Sequence, residues 1–546
     1  MSAPAELLLH GGVIRTMDPA RPLAEAIAIG GGRIMGLGSR ADLEGLVGAG
    51  TRQVALGGRM AMPGIIDFHL HLLGGMTTRL YATPLAPTDD FGAVLEKVAA
   101  AARQPGRRDW VVAGPYGAAA LAGMAAPGAL TALDAVSNGR PVALIHVSGH
   151  GRFANSRALD LAGIDAATPD PPDGHIVRDA AGRPTGLLHE AAAWPLRDAI
   201  PALTEAELLA VAREAQHLLN GLGITGFCDA SATLPMLKTF RAQEDAGGLT
   251  AWAGFNLALH PSASGFDAAE ARVLRATRRT LCGPHMIADF AKIFLDGVPS
   301  LRTAAMFEPY AAAPEEPPVA MALDRAGLAD AIADFDAEGM GVKVHAIGDR
   351  AVRTVLDAVA DVRARNAGGP QHQIAHGQFI LEEDIPRLRA LNVLADMNPP
   401  LWYPNAASLT HERVVGAARY ARTWAIRDIL AAGADVAVGS DWMTVTAELD
   451  PWEALAGLLT RRDPHGRFPG AHRPDQALTL DQALPLLTRN PSRAMRFGDR
   501  TGALLPGLSA DLILLDRDLG AIDPMAVAEA RVLATVFEGK LVHGVL

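Results

Sequence analysis

In Pro63-Gly-Ile-Ile-Asp-Phe-His69-Leu-His71 an apolar run ends on two histidines spaced two apart. Along an extended strand, residues i and i+2 point to the same side. Both imidazoles can therefore reach one ion, and imidazole suits Zn²⁺ and similar metals. Such a pair also arises by chance at strand ends. Three more ligand-type side chains close apolar runs in the same way: His345 after Gly341-Val-Lys-Val, His376 after Gln373-Ile-Ala, and Asp441 after Val436-Ala-Val-Gly-Ser440. Taken singly, each reads as a structural histidine or a helix N-cap aspartate. Five ligand-type residues at the ends of four inferred strands make independent coincidence a poor explanation.

Lys292 stands inside the otherwise apolar run Asp289-Phe-Ala-Lys-Ile-Phe-Leu295, where a buried ammonium needs a partner. Reaction with CO₂ would turn it into an anionic oxygen ligand. Alternatively its amine reaches solvent along the stem, or pairs with Asp296 or with a substrate carboxylate. His150, in Ser148-Gly149-His150, is either a contact for substrate or a developing oxyanion, or a plain loop histidine. The aromatics Phe68, Trp402, Tyr403 and Trp442 adjoin strand ends, where they can line an apolar pocket or pack helices onto a barrel.

These residues need elements to hold them. Eight strand-like runs alternate with helical segments such as Ala206–Leu219 and Ala351–Val362: Ala61–Phe68, Ile224–Asp229, Ala251–Leu259, Asp289–Leu295, Gly341–His345, Gln373–His376, Val393–Met397 and Asp435–Ser440. Alternation of this kind is the pattern of βα units, and eight of them favour an α/β fold closed as a (β/α)₈ TIM-like barrel, whose strand C-termini carry the active site. The stretch at about 77–201 does not fit the repeat. It is predicted to be an insertion over the barrel mouth with its own strands, Trp110–Ala113 and Pro141–Val147. Short apolar runs between glycine turns mark both ends of the chain: Glu6–His10, Ala26–Ile29 and Arg33–Leu37, then Asp511–Asp516 and Val532–Phe537. Residues 1–60 with 497–546 are accordingly expected to form one small β-sandwich, and 61–496 the barrel.

At 546 residues the chain exceeds the size at which single cores stop growing, which supports more than one domain. A formal charge of −11 opposes nucleic acid and anionic membrane and leaves a small molecule as the partner. The two cysteines, Cys228 and Cys282, form no CxxC pair, so neither a disulfide framework nor a thiolate metal cluster is expected. No export signal and no run of roughly 18 apolar residues appears, so the expected compartment is the cytoplasm. The expected assembly is a homodimer.

The motifs resemble a family. Together with Pro63–His71, the chain carries Ser148-Gly-His150 with Asn155-Ser156, Arg178-Asp179 through Pro184-Thr185-Gly186, Lys292-Ile-Phe-Leu-Asp-Gly297, His345-Ala-Ile-Gly-Asp-Arg350, Ala375-His376-Gly-Gln378 and Gly439-Ser440-Asp441-Trp442. In these it resembles the metal-dependent amidohydrolases, in the family 3 branch of YtcJ-like and N-substituted formamide deformylase-like proteins. Phe68 and His175 depart from the branch's habit. The resemblance implies that His69, His71, His345, His376 and Asp441 bind a divalent metal, expected to be Zn²⁺ at one or two ions per chain, with a carboxylated Lys292 as a bridge. It implies hydrolysis of a C–N bond, an amide of N-formyl or N-acyl type, by metal-activated water, with Asp441 and His150 as the catalytic residues. Asp441 would carry the proton from water to the departing nitrogen. A deaminase of the same superfamily would need a glutamate shortly after the third histidine, and Ala346-Ile-Gly-Asp349 follows His345 instead. A non-catalytic relative would be expected to have lost ligands.

Overall fold

In the computed structural model, residues 3–86, 88–104, 109–171, 174–398, 402–444 and 448–546 are described. Eight parallel strands form one sheet: Ile65–Leu70, Ile224–Ala232, Trp252–Leu257, Met286–Phe294, Gly341–Ala346, His372–His376, Val393–Met397 and Val436–Val438. Each pairs with the next in chain order. Most of their residues are buried on both faces, which is why the sequence shows continuous apolar runs rather than alternation. Helices such as Glu205–Gly221 and Asp349–Arg365 pack outside, and Thr204 with Glu207 forms a capping box that starts the first of them. This is a TIM-like barrel, closed between its last and first strands: the His71 N–H donates to the Trp442 carbonyl at 2.9 Å, and the Asp441 N–H to that of His69 at 2.6 Å.

The predicted strand Ala61–Phe68 is two strands. Met60–Pro63 pairs antiparallel with Leu512–Leu515 in a separate sheet, and only Ile65–Leu70 enters the barrel. Gly64 separates them, and its Cα lies so close to Thr225 that a Cβ would fall on that side chain. An unbroken apolar run hides this change of sheet, because both halves are buried. The separate sheet has eight strands and draws on both ends of the chain, from Leu7–Arg15 to Lys540–Gly544. Its core includes Leu9, Ile27, Leu512 and Val536.

Between the first and second barrel strands the chain makes a further six-stranded sheet. Its strands are Thr83–Pro84, Val111–Tyr116, Val142–His146, Gly151–Ala154, Gly174–Arg178 and Pro184–Glu190. It has its own apolar core, with Val94, Leu133, Val142 and Phe153. Two of these strands match the predicted ones. Among the described residues, no single helix is long and apolar enough to cross a membrane.

At the closure, Gly439 packs on the backbone of His69, where a Cβ would overlap the His69 nitrogen and stand 2.6 Å from its Cα. Backbone cannot swing aside, so the last and first strands would have to part. Gly439→Ala is therefore expected to destabilise the protein by about 1–3 kcal/mol in denaturant unfolding. An unchanged midpoint would show that the closure is not tight.

Candidate metal centre

The closure brings the ends of the last and first barrel strands side by side. One ligand atom each from His69, His71 and Asp441 lies within 4.8 Å of the others. Asp441 Oδ1 is 3.6 Å from His69 Nε2 and 3.5 Å from His71 Nε2. Asp67 ties the two strands beneath them by accepting the backbone N–H groups of His69 and Ser440 at 3.1 and 3.0 Å. Asp441 has φ +53° and His376 φ +73°, a left-handed conformation that costs an L-residue energy and that clusters at functional sites.

His69 is fully buried and fixed from below. Its Nδ1 meets Asp396 Oδ2 at 2.6 Å, and the same carboxylate oxygen holds Lys343 Nζ at 2.8 Å. Lys343 also donates to the Phe68 carbonyl at 2.9 Å. Burial would raise the Asp396 carboxyl, but Lys343 and His69 outweigh it and hold the group well below the usual range. An ionised Asp396 accepting from Nδ1–H leaves the His69 Nε2 lone pair facing Asp441 and His71. Burial pushes the His69 ring down to about 4, so it is neutral at pH 7.

His376 lies 4.9 Å from His69, ring centre to ring centre, and its Nδ1 meets Asn398 Oδ1 at 2.6 Å. His345 is 4.5 Å from His376, with Nε2 3.3 Å from the Gly297 carbonyl. Burial lowers both imidazoles, His376 to about 3. For Asp441, burial acts upward, but His71, His69 and His376 outweigh it and keep the carboxyl well below its ordinary value. His150 comes from the inserted sheet, with its ring 4.9 Å from His345 and its Nδ1 2.5 Å from Glu190 Oε2. The insertion thus reaches the site.

Lys292 is fully buried, with Nζ 4.6 Å from the centre of the Phe294 ring, which stacks on His345. It does not reach solvent. Nor does it pair with Asp296, whose carboxylate accepts the N–H groups of Ala305, Ile347 and Gly348. Burial, reinforced by Lys343, lowers the amine to about 7. Four buried polar atoms of this cluster lack a hydrogen-bond partner among the described residues: His69 Nε2, His345 Nδ1, Lys292 Nζ and Asp396 Oδ1. Orphaned atoms of this kind are rare in protein interiors, and one of them, His69 Nε2, is an imidazole nitrogen 3.6 Å from the Asp441 carboxylate. The donor set fits a divalent cation.

Above the cluster opens a cavity of about 630 Å³, lined by His71 and Phe294 from the barrel and by Ser148, His150, Arg152 and Trp194 from the insertion. That volume suits a small molecule. Phe68, Trp402, Tyr403 and Trp442, read from sequence as pocket or packing aromatics, all pack inside the protein and none lines the cavity. Phe68 instead carries the Lys343 ammonium 4.2 Å from its ring centre. His175 lies on the cavity wall, paired to Asp170 at 2.7 Å.

Sequence reasoning missed Asp396, Asn398, Lys343 and Glu190, the groups that orient the histidines. Asp396-Met-Asn398 ends a barrel strand with the same i, i+2 spacing as His69-Leu-His71, and that signal was available.

The model of the amidohydrolase family matches residues 52–543. YtcJ of Bacillus subtilis is 29% identical over 548 residues, covering 98% of each chain. N-substituted formamide deformylase of Arthrobacter pascens is 27% identical over 558 residues, covering 99% of each. Among solved structures, an uncharacterized metal-dependent hydrolase of Pyrococcus horikoshii shares the fold at TM-score 0.72 and 22% identity, covering 98% of this chain and 100% of that one.

Replacing Asp396 by Asn removes the anion that both Lys343 and His69 use. Carboxylate partners of ligating histidines contribute about 10–100-fold to metal affinity, and Asp396→Asn is expected to lose affinity in that range in chelator competition. A folded variant with undiminished affinity would detach Asp396 from the site.

Proposed function

The chain belongs to the amidohydrolase family, and from that premise we propose that it is a metal-dependent hydrolase cleaving a carbon–nitrogen bond, an amide of the N-formyl or N-acyl kind, in a small molecule. The observation that carries the reading is the cluster of His69, His71 and Asp441, in which His69 Nε2 has no partner among the described residues and His71 lines the cavity. His69, His71, His345, His376 and Asp441 would hold a divalent ion, and a set rich in imidazole favours Zn²⁺. Such an ion supplies Lewis-acid polarisation of a carbonyl and lowers the pKa of water toward about 7.

The protein's own groups do the rest. Asp441, held ionised by the surrounding imidazoles, accepts the proton of the attacking water and returns it to the departing nitrogen, since an amine leaves more readily once protonated. His150, fixed through Nδ1 by Glu190, presents its other nitrogen to the substrate carbonyl oxygen. Lys292, enclosed and without a hydrogen-bond partner among the described residues, takes up CO₂ as the neutral amine, forming an N–C bond and releasing a proton. The resulting carbamate is an anion that can bridge two cations and offset their mutual repulsion. The relative named as a formamide deformylase makes N-substituted formamides the first compounds to try, followed by N-acyl amines, N-acyl amino acids and cyclic amides.

Purified with Zn²⁺, Mn²⁺ or Co²⁺, the protein is expected to retain one or two ions per chain and to release amine from a member of that panel. Chelation is expected to abolish this and metal to restore it. Ammonia released from an aminopurine, with no amide cleaved, would move the reading to a deaminase. Asp441→Asn should keep most of the metal yet lose about 10²–10⁴-fold in kcat, and near-normal turnover in a loaded variant would remove its assigned role. Lys292→Ala should lose metal and turnover together, with partial recovery on adding acetate or propionate. The absence of a carbamate carbon signal from active, fully loaded protein equilibrated with ¹³C-labelled CO₂ would exclude the carbamate.

A further inference from the structure

Arg152 lies on the inserted strand Gly151–Ala154, where successive side chains alternate between faces. Phe153 enters the insertion core, and Arg152 lines the cavity beside His150. One guanidinium nitrogen, Nη1, donates to the carbonyls of Gly149 and Gly151 at 3.0 and 2.9 Å, which fixes the plane of the group. Nε and Nη2 make no hydrogen bond among the described residues, and no carboxylate pairs with them.

The charges around Arg152 are already committed. Of the two carboxylates on the cavity wall, Glu190 holds His150 at 2.5 Å and accepts from Thr303 Oγ1 at 2.5 Å, and Asp296 is filled by three backbone N–H groups. Arg197, the other arginine on the wall among the described residues, is 2.7 Å from Asp198, and His175 is 2.7 Å from Asp170. Burial, opposed by Tyr116 and reinforced by Arg197, pushes the Arg152 guanidinium down to about 10, so it is charged at neutral pH. A half-buried cation without an anion is costly unless a ligand supplies one. The free edge of a guanidinium matches a planar carboxylate, with two parallel N–H donors.

We infer that the substrate carries a carboxylate away from the scissile bond and that Arg152 is the residue that selects it, so that N-acylated amino acids are the favoured class. The inference rests on the reading of this cavity as the substrate chamber of an amide hydrolase.

Calorimetry on the metal-loaded protein tests it with N-methylsulfonyl-methionine and its carboxamide, whose sulfonamide resists hydrolysis. The wild type is expected to bind the acid about 10–100-fold more tightly than the carboxamide, the usual range for a charged hydrogen bond. In Arg152→Gln with wild-type metal content this preference should collapse toward unity, and Arg152→Lys should keep part of it. Equal binding of acid and carboxamide by the wild type overturns the inference, as does a full preference in Arg152→Gln. A phosphonate analogue that displaces the acid at lower concentration overturns the carboxylate assignment. Because binding is read without turnover, a protein that selects the acid but hydrolyses no acyl compound sinks the hydrolase reading and leaves the anion site standing.

Discussion

The cluster of histidines and Asp441 depends on one interaction inside the barrel, the contact of Asp396 with Lys343 and His69. A carboxylate, an ammonium and an imidazole come from the seventh, fifth and first strands and meet with no exposure to solvent. Removing one partner from such a buried pair typically costs about 3–5 kcal/mol, because the other charge is left uncompensated. The arrangement tolerates the burial because each charge is answered: Lys343 by the carboxylate and the Phe68 carbonyl, Asp396 by two donors. What the protein obtains is a fixed tautomer. His69 presents Nε2 toward Asp441 because Nδ1 is committed below it.

The pair also limits the backbone above it. Phe68 accepts from Lys343 through its carbonyl and lies under the ammonium with its ring, so the end of the first strand is held at the residue next to His69. Gly439, just past the last strand, presses on His69, and Asp67 pins both strand ends through the N–H groups of His69 and Ser440. His69, His71 and Asp441 are distant in the chain but adjacent in space for that reason. The positive φ of Asp441 and His376 is strain this framework can hold.

The barrel strands and the histidines and aspartate at their ends were legible in the sequence for one shared reason. Strands buried on both faces read as apolar runs, and a polar residue at the end of such a run stands out. The same logic failed where burial was uniform but geometry changed. Nothing in Met60–Leu70 marks the passage from one sheet to another at Gly64 except a glycine that could have been incidental. The last strand was predicted at Asp435–Ser440 and spans Val436–Val438, because Gly439 and Ser440 already turn into the closure. The orienting residues escaped for a different reason: Asp396 and His69 are 327 residues apart, and a partnership across a barrel leaves no trace in local spacing. Large aromatics near strand ends misled because a tryptophan in a core and one in a pocket obey the same local pattern.

The six-stranded insertion leaves the chain after the first barrel strand and returns before the second. Floor and wall of the cavity thus belong to bodies that each have an apolar core of their own, joined by contacts such as Leu121 against the barrel-side cluster and Thr303 to Glu190. Amino-acid changes in the wall can drift through many sequences while the floor stays fixed, since an altered wall residue need not disturb the buried charges that set the histidines. A scaffold partitioned in this way can change what it admits faster than what it does to it, and His150, an insertion residue in ring contact with His345, marks the boundary where the two must still agree.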